Sequence, residues 1–425
     1  MKTVSDLYRQ LSVIEDYLSQ FQVNDQPNVL FVAPQMKMKD FYNYILPYVV
    51  MNEKNIANCA MTSLTKWDDQ QYITDIDMLL FSKQLLWADI VVFPFTTQPI
   101  GWDWTEDTPS VYDQIRTLNP DVRIFYTVDF NFYEINDRHP LYSYMHSPEA
   151  VEAIELNMVH ADAIMVNNPE LLAYLQEKVK KLKVDHDVER RLNLICMPVA
   201  THEELIYENI RVGETLEVEQ AHDAHPERVE QLKKKDGVIR LGMVLTRYYE
   251  DDLRAFQKEL KAAKKAMGSK LEIFIWGLDP SECDNLLTGV EYVHLRPKSI
   301  IHYHRGLHNL NFDLLFIPLK KTVYNATSEN LGKWIEASIM GTPVMTIDQF
   351  PYNSVIRDGK NGFILKKKAD LTSRLKKLAK KKQDLVKAGQ ISRRLVREMF
   401  TYDHNEETAE VLREVFSVKK YAKGE

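Results

Sequence analysis

The stretch Phe312–Leu365 reads FDLLFIPLKKTVYNATSENLGKWIEASIMGTPVMTIDQFPYNSVIRDGKNGFIL. It opens with a short apolar run, Asp313 to Pro318, which reads as a strand buried on both faces. A polar loop follows, with Tyr324, Asn325, Thr327, Ser328, Glu329 and Asn330. Such a loop sits at the C-terminal end of its strand, where open α/β sheets hold ligands. A helix is expected from about Asn330 to Gly341, with Ser328, Glu329 or Asn330 as N-cap, Gly341 as the terminating glycine and Pro343 just beyond. A helix start directs backbone N–H groups and a positive dipole end toward an anion. Lys333 adds a full charge in the first turn. Glu336 projects from the same face one turn deeper, where a carboxylate accepts ribose hydroxyls. A nucleoside diphosphate matches this pair, although two such residues taken alone read equally well as a surface ion pair.

Outward from this stretch the same alternation recurs. Before the loop come Val238 to Leu245 as a strand, Asp252 to Met267 as a helix, and Leu271 to Trp276 and Glu291 to Leu295 as strands. Pro343 to Ile347 and Gly362 to Leu365 close the series. In the first half, Asn28 to Ala33, Ile90 to Phe93, Arg123 to Val128, Ala163 to Val166 and Leu192 to Met197 are brief, β-rich and bounded by polar residues or proline. Helical spacing over Asp75 to Trp87 and Pro148 to His160 separates them, the pattern of a parallel α/β sheet. From about Glu203 to Gly237 the chain turns to Glu, His, Gln and Lys and shows no strand pattern. The expected organisation is therefore residues 1–205 as one Rossmann-like domain, 206–237 as a polar linker or insertion, 238–400 as a second such domain, and 401–425 as a C-terminal helix, about Asp403 to Phe416, packing back across the interface, with a tail.

The long stretch resembles the donor-binding region of retaining GT-B glycosyltransferases, the glycosyl transferases group 1 or family 4-like kind. The resemblance lies in order and spacing: Asn325 and Ser328 in the loop, Lys333 to Ala337 as Lys-x-x-Glu-Ala, Gly341 to Val344 as Gly-Thr-Pro-Val, then Pro351-Tyr352 and Asp358 to Gly362. It implies a GT-B fold of two facing Rossmann-like domains with an inter-domain cleft, and a donor held by Asn325, Ser328, Glu329, Asn330, Lys333, Glu336 and Tyr352. One departure stands out. Many relatives separate two glutamates by seven residues, whereas Glu329 and Glu336 have six between them, so the common spacing falls on Ser328.

Leu241 to Leu253 resembles the first strand and loop of the same donor domain, which makes Arg247 the candidate basic contact to the diphosphate; an exposed loop arginine is the equal alternative. Trp276-Gly277 ends a strand where relatives line the nucleotide base. The N-terminal half resembles the acceptor domain more faintly. Val29 to Pro34 leads to Tyr44-Ile45-Leu46-Pro47, but Gln35 and Met36 stand where a glycine is usual. Asp129, ending a strand ahead of His139-Pro140-Leu141-Tyr142, is a candidate contact to sugar or acceptor hydroxyls, or a loop cap.

The implied reaction transfers a sugar from a nucleoside-diphosphate sugar to an acceptor hydroxyl with retention of configuration. Lys333, Arg247 and Asp129 are the catalytic candidates, and the leaving phosphate itself takes the acceptor proton. The acceptor stays open among a saccharide or lipid-linked saccharide, a protein and modified nucleic acid such as hydroxymethylated DNA. A noncatalytic nucleotide-sugar-binding module and a GT-B-shaped sugar-nucleotide epimerase are the rival classes.

Composition sets the outer bounds. The chain has 425 residues, 45% hydrophobic and 27% charged, in the range of a packed two-domain protein. Cys59, Cys196 and Cys283 form no CxxC pair, which fits a reducing, cytoplasmic setting. Neither a signal peptide nor a membrane-spanning run is expected. The histidines lack metal-ligand spacing, so no metal and no cofactor beyond the donor substrate is expected. A formal charge of −7 argues against a uniformly basic, nucleic-acid-coating surface. Against that balance, Lys366 to Lys387 carries ten basic residues beside Asp370 and Asp384 on one amphipathic helical pattern. This reads as a solvated face, or as peripheral contact with an anionic surface.

Overall fold

The computed structural model describes residues 25–33, 41–63, 83–95, 111–185, 192–197, 199–212, 216–218, 227–229, 232–284, 286–296 and 300–417. The expected helix at Asp75 to Trp87 lies outside the described residues except for 83–87, which are helical. Gln35 and Met36 lie outside them too. The chain divides into two compact units: residues 1–131, 144–198 and 407–425 form unit 1, and 132–143 with 199–406 form unit 2.

Unit 1 is built on a parallel sheet of β1 (Asn28–Ala33), β2 (Asn58–Ser63), β3 (Ile90–Phe93), β4 (Arg123–Thr127), β5 (Ala163–Val166) and β6 (Asn193–Cys196), in the order β2-β1-β3-β4-β5-β6. Every residue of β3, β4 and β5 is buried, as strands covered on both faces must be. The helix Pro148–His160 starts where expected, because Ser147 accepts the Ala150 N–H at 3.2 Å and Pro148 occupies the first turn. The helix Glu406–Val415 leads to Phe416, which packs against Phe31 and Phe125 of this sheet.

Unit 2 repeats the plan. A short antiparallel pair, β7 (Leu216–Val218) and β8 (Glu227–Val229), precedes a parallel sheet of β9 (Ile239–Leu245), β10 (Leu271–Gly277), β11 (Val293–Leu295), β12 (Leu314–Ile317), β13 (Val344–Ile347) and β14 (Phe363–Leu365). Its order is β11-β10-β9-β12-β13-β14, so the direction of winding reverses between β9 and β12. The helix Glu250–Met267 shows why its sequence folds so: Glu250, Asp251 and Asp252 complement the positive end, Lys264 and Lys265 the negative end, and Gly268 at φ 57° terminates it.

Three sequence expectations need correction. The polar segment after Glu203 is not strandless: it opens with the helix Glu203–Val212 and contains β7 and β8. The strand β2, Asn58–Ser63, has no counterpart among the expected strands. The basic run is not one helix but two, Leu371–Lys380 and Lys382–Met399, broken at Lys381, whose backbone leaves the helical region at φ −131° and ψ 56°. No helix among the described residues is long and apolar enough to cross a membrane.

Candidate functional site

The reversal point of unit 2 gathers most of the residues singled out in its sequence. Where β9 ends, a single turn, Arg247–Tyr249, leads into the helix Glu250–Met267. Where β12 ends, the chain runs through Lys320 into the short helix Val323–Ser328. Asp252 ties the two together. Its Oδ1 accepts the Lys320 backbone N–H at 2.7 Å and the Asn325 Nδ2 hydrogen at 2.7 Å, and Asn325 also donates to the Lys320 carbonyl at 3.0 Å. Burial pushes the Asp252 carboxyl up to about 7, even though both donors favour its charged form. Asn325, expected to contact a ligand, is buried and has its amide hydrogens engaged in closing this loop.

Beyond the loop, Glu329 is a shared acceptor. The Tyr249 hydroxyl donates to its Oε1, and the Tyr352 hydroxyl donates to its Oε2 at 2.9 Å. Lys333 Nζ donates to the Tyr249 hydroxyl oxygen, stands 3.5 Å from Glu329 Oε2, and lies 4.2 Å from the centre of the Tyr249 ring. Lys333, Glu329 and Tyr352, chosen from separate parts of the motif, are thus one hydrogen-bonded group. Burial first, then the Glu329 carboxylate, pushes the phenols of Tyr249 and Tyr352 well above their usual range, so both remain donors.

The helix carrying Lys333 runs Gly332–Ile339, two residues later than expected. Asn330 accepts the Gly332 N–H at 2.8 Å, while Leu331 occupies the cap position without a side-chain bond. Gly341 follows at φ 72°. Glu336 is 3% exposed and accepts the Tyr303 hydroxyl hydrogen at 2.8 Å through Oε2. Lys333 and Glu336 both line one pocket, with Val244, Tyr303, Leu315 and Ala337 among its other walls. The helix is held from behind by Lys382–Met399: Ser338 and Ser392 share a hydrogen bond at 2.6 Å, and Trp334 meets Phe400 edge to face.

Other candidates sit differently. Arg247 is exposed and opens the turn Arg247–Tyr249 that follows β9, two residues before Tyr249. Ser328, the last residue of its short helix, is half-buried. Trp276 is 2% exposed and packs against Tyr303 with ring centres 5.3 Å apart, so its ring is covered by protein rather than open as a base platform. Gly277 answers to the backbone: at φ 100°, a Cβ there would lie 2.2 Å from the Leu245 carbonyl oxygen.

His139, near the expected Asp129 motif, belongs to unit 2. Its Nδ1 accepts the Leu141 N–H at 3.1 Å, which leaves the proton on Nε2, 3.1 Å from the Tyr324 hydroxyl. Burial lowers this imidazole to about 4, so it is neutral at pH 7. Asp129 itself stands in unit 1, where Asn43 donates to its Oδ1 at 2.7 Å and Asn167 donates to Asn43 at 3.3 Å. These three line a pocket with Tyr42, Thr127 and Met197. Among the described residues, no group of three His, Cys, Asp or Glu is arranged to hold a metal.

Tyr249, Asp252 and Tyr303 also belong to this group of contacts, and no sequence motif marks them. The first two are two and five residues from Arg247, within a stretch already singled out, yet their partners lie 80 and 73 positions further on. Tyr303 carried no such local mark.

No protein-family model matches the chain, and no curated protein matches it. Solved structures do. Sucrose-phosphate synthase from Thermosynechococcus elongatus superposes with a TM-score of 0.56 at 12% identity, covering 92% of this chain and 99% of that one. A glycosyltransferase from Rickettsia africae ESF-5 gives 0.51 at 12% identity, covering 94% and 100%. TarM is matched over 78% of this chain at 11% identity and a TM-score of 0.45, and the match spans 58% of TarM's length. Identities this low speak for architecture alone. With two six-stranded parallel Rossmann-like sheets, the chain has the GT-B fold.

Proposed function

We propose that this protein is a glycosyltransferase that moves a sugar from a nucleoside-diphosphate sugar to an acceptor hydroxyl with retention of anomeric configuration. One observation carries the proposal: Lys333 and Glu336, three residues apart on one short helix, line the same pocket at the reversal point of the unit 2 sheet. The first turn of that helix and the Lys333 ammonium receive the diphosphate, and Arg247 adds a second charge from the end of β9. Glu336, held by Tyr303, accepts the ribose hydroxyls.

Tyr249 and Glu329 set where the Lys333 ammonium stands before a diphosphate arrives. Tyr352 acts through Glu329 rather than on the donor. In unit 1, Asp129, oriented by Asn43, binds a sugar or acceptor hydroxyl. Negative charge builds on the leaving diphosphate, and its own oxygen takes the acceptor proton. The protein's part is then to position the groups and stabilise that charge.

The test is incubation with a panel of nucleoside-diphosphate sugars and polyhydroxyl acceptors. Released nucleoside diphosphate is measured, and the product anomer is read by proton NMR. Release with a retained anomer is expected. Inversion contradicts the assigned stereochemistry, and folded protein releasing nothing from any donor favours a noncatalytic nucleotide-sugar-binding module.

A further inference from the structure

The strongest charge asymmetry of the chain lies away from the residues assigned to nucleotide binding. Between Lys366 and Met399 there are thirteen lysines and arginines and three acidic residues, in a chain whose formal charge is −7. Some of that charge is matched locally. Arg374 pairs with Asp358, Lys382 with Asp313 at 3.0 Å, and Arg393 and Arg397 with Glu203 at 3.2 and 3.0 Å.

Lys376, Lys377, Lys380 and Lys381 are different: all four are exposed, and none has an ion-pair partner among the described residues. The helix Leu371–Lys380 buries Leu371, Leu375 and Leu378, so its lysines stand together on the opposite face, with the exposed Ser373 the only other fully exposed residue of that helix. Lys366, Lys367 and Lys368 precede it, also exposed. Like charges this close repel one another, and a row without counter-charges is a site for a polyanion.

We propose that this lysine face docks a nucleic acid through its phosphate backbone. A membrane surface is the other polyanion it must be weighed against. Stable attachment to lipid adds an apolar signal to the basic one, usually side chains that enter the acyl boundary. The outward face of Leu371–Lys380 presents no exposed apolar side chain. The next large exposed ones along the chain, Val386 and Ile391, are five residues apart on the following helix and therefore point about 140° away from each other. Backbone docking on a nucleic acid needs charge and hydroxyl groups only, and lysine suits it as a point charge. The proposal concerns a surface outside the nucleotide pocket and stands or falls independently of the transfer reaction.

The full-length protein is titrated into a labelled DNA duplex of about 30 base pairs, at about 50 and about 200 mM salt. Binding is expected at the lower salt, weakening on the order of 100-fold at the higher, as for about four phosphate contacts. The quadruple variant Lys376→Ala, Lys377→Ala, Lys380→Ala and Lys381→Ala should lose most of the affinity and flatten the salt dependence by about 0.9 per lysine. Its melting temperature and nucleotide binding should be unchanged, since no buried group is touched. Lys380→Glu alone should show an intermediate loss. Phosphatidylserine vesicles form the second arm and are expected to bind more weakly than the duplex. No duplex binding at low salt, duplex binding undiminished in the quadruple variant, or vesicle binding tighter than duplex binding would each overturn the proposal.

Discussion

The Tyr303 hydroxyl donates to Glu336 Oε2 across 2.8 Å, and both residues are almost fully removed from solvent. Burial and the adjacent carboxylate push the Tyr303 phenol well above its usual range, so it donates throughout the accessible pH range. Tyr303→Phe removes one hydrogen bond to a carboxylate and should cost about 1.5–3 kcal/mol, read as a lower melting temperature. Glu336→Ala instead leaves the Tyr303 hydroxyl buried without that acceptor. It should also weaken nucleoside diphosphate binding roughly tenfold, the scale of one lost hydrogen bond to a charged group. Unchanged affinity in folded Glu336→Ala would show that the carboxylate serves the wall of the pocket only.

Glu329 is predicted to act as an anchor. Two tyrosine hydroxyls donate to its two carboxylate oxygens, so Glu329→Gln exchanges one acceptor oxygen for an N–H donor facing a hydroxyl. A stability loss of about 1–3 kcal/mol follows, with Tyr352→Phe losing less. Thermal melts of both variants check this, and an unshifted melt for Glu329→Gln would contradict the anchoring role.

Asp252 predicts a pH dependence. Its folded carboxyl holds a proton up to about pH 7, whereas the unfolded one releases it near pH 4. Between those values the native state binds more protons than the unfolded chain, so this residue's contribution to stability declines as pH rises through the window. Asp252→Asn keeps an acceptor oxygen for the Lys320 N–H and the Asn325 amide but does not ionise. The stability of the variant relative to the parent should therefore grow from about pH 4 to about pH 7, and a constant difference across that range would refute the prediction.

Gly389 lies where Lys382–Met399 crosses the end of the helix Gly332–Ile339. A Cβ there would lie 2.0 Å from the Gly341 carbonyl oxygen and 3.2 Å from Pro343 Cδ. Gly389→Ala must push the two helices apart, at about 1–3 kcal/mol. Because the displaced helix carries Lys333 and Glu336, nucleotide affinity should fall together with stability. Calorimetric titration beside a melt tests the coupling, and loss of stability without loss of affinity would break it.

The strands were legible because a parallel sheet covered on both faces needs uninterrupted apolar runs, and IVVF, AIMV and LLFI offer little else. The strand β2, NCAMTS, has one large apolar residue, so only its pairing with β1 defines it. The break at Lys381 is marked by neither glycine nor proline. At the candidate site, Lys333, Glu336 and Tyr352 stand out in the sequence because they follow one another at short intervals in an ordered motif. What each one touches does not, since Tyr249, Asp252 and Tyr303 reach their acceptors or donors across 33 to 80 positions of chain. Trp276 was correctly placed at a strand end, but which way its ring points is decided by the packing of Tyr303.

Lys333 and Glu336 are proposed to form a nucleoside-diphosphate site. The most direct measurement is a thermal-shift and calorimetric titration of the full-length protein with a panel of nucleoside diphosphates, repeated on Lys333→Ala. One nucleotide should bind selectively and stabilise the protein, and removing Lys333 should weaken it about 10- to 100-fold, the loss of one charge-assisted contact to phosphate. Selective binding that survives intact in folded Lys333→Ala, or no binding of any nucleoside diphosphate, would contradict the site.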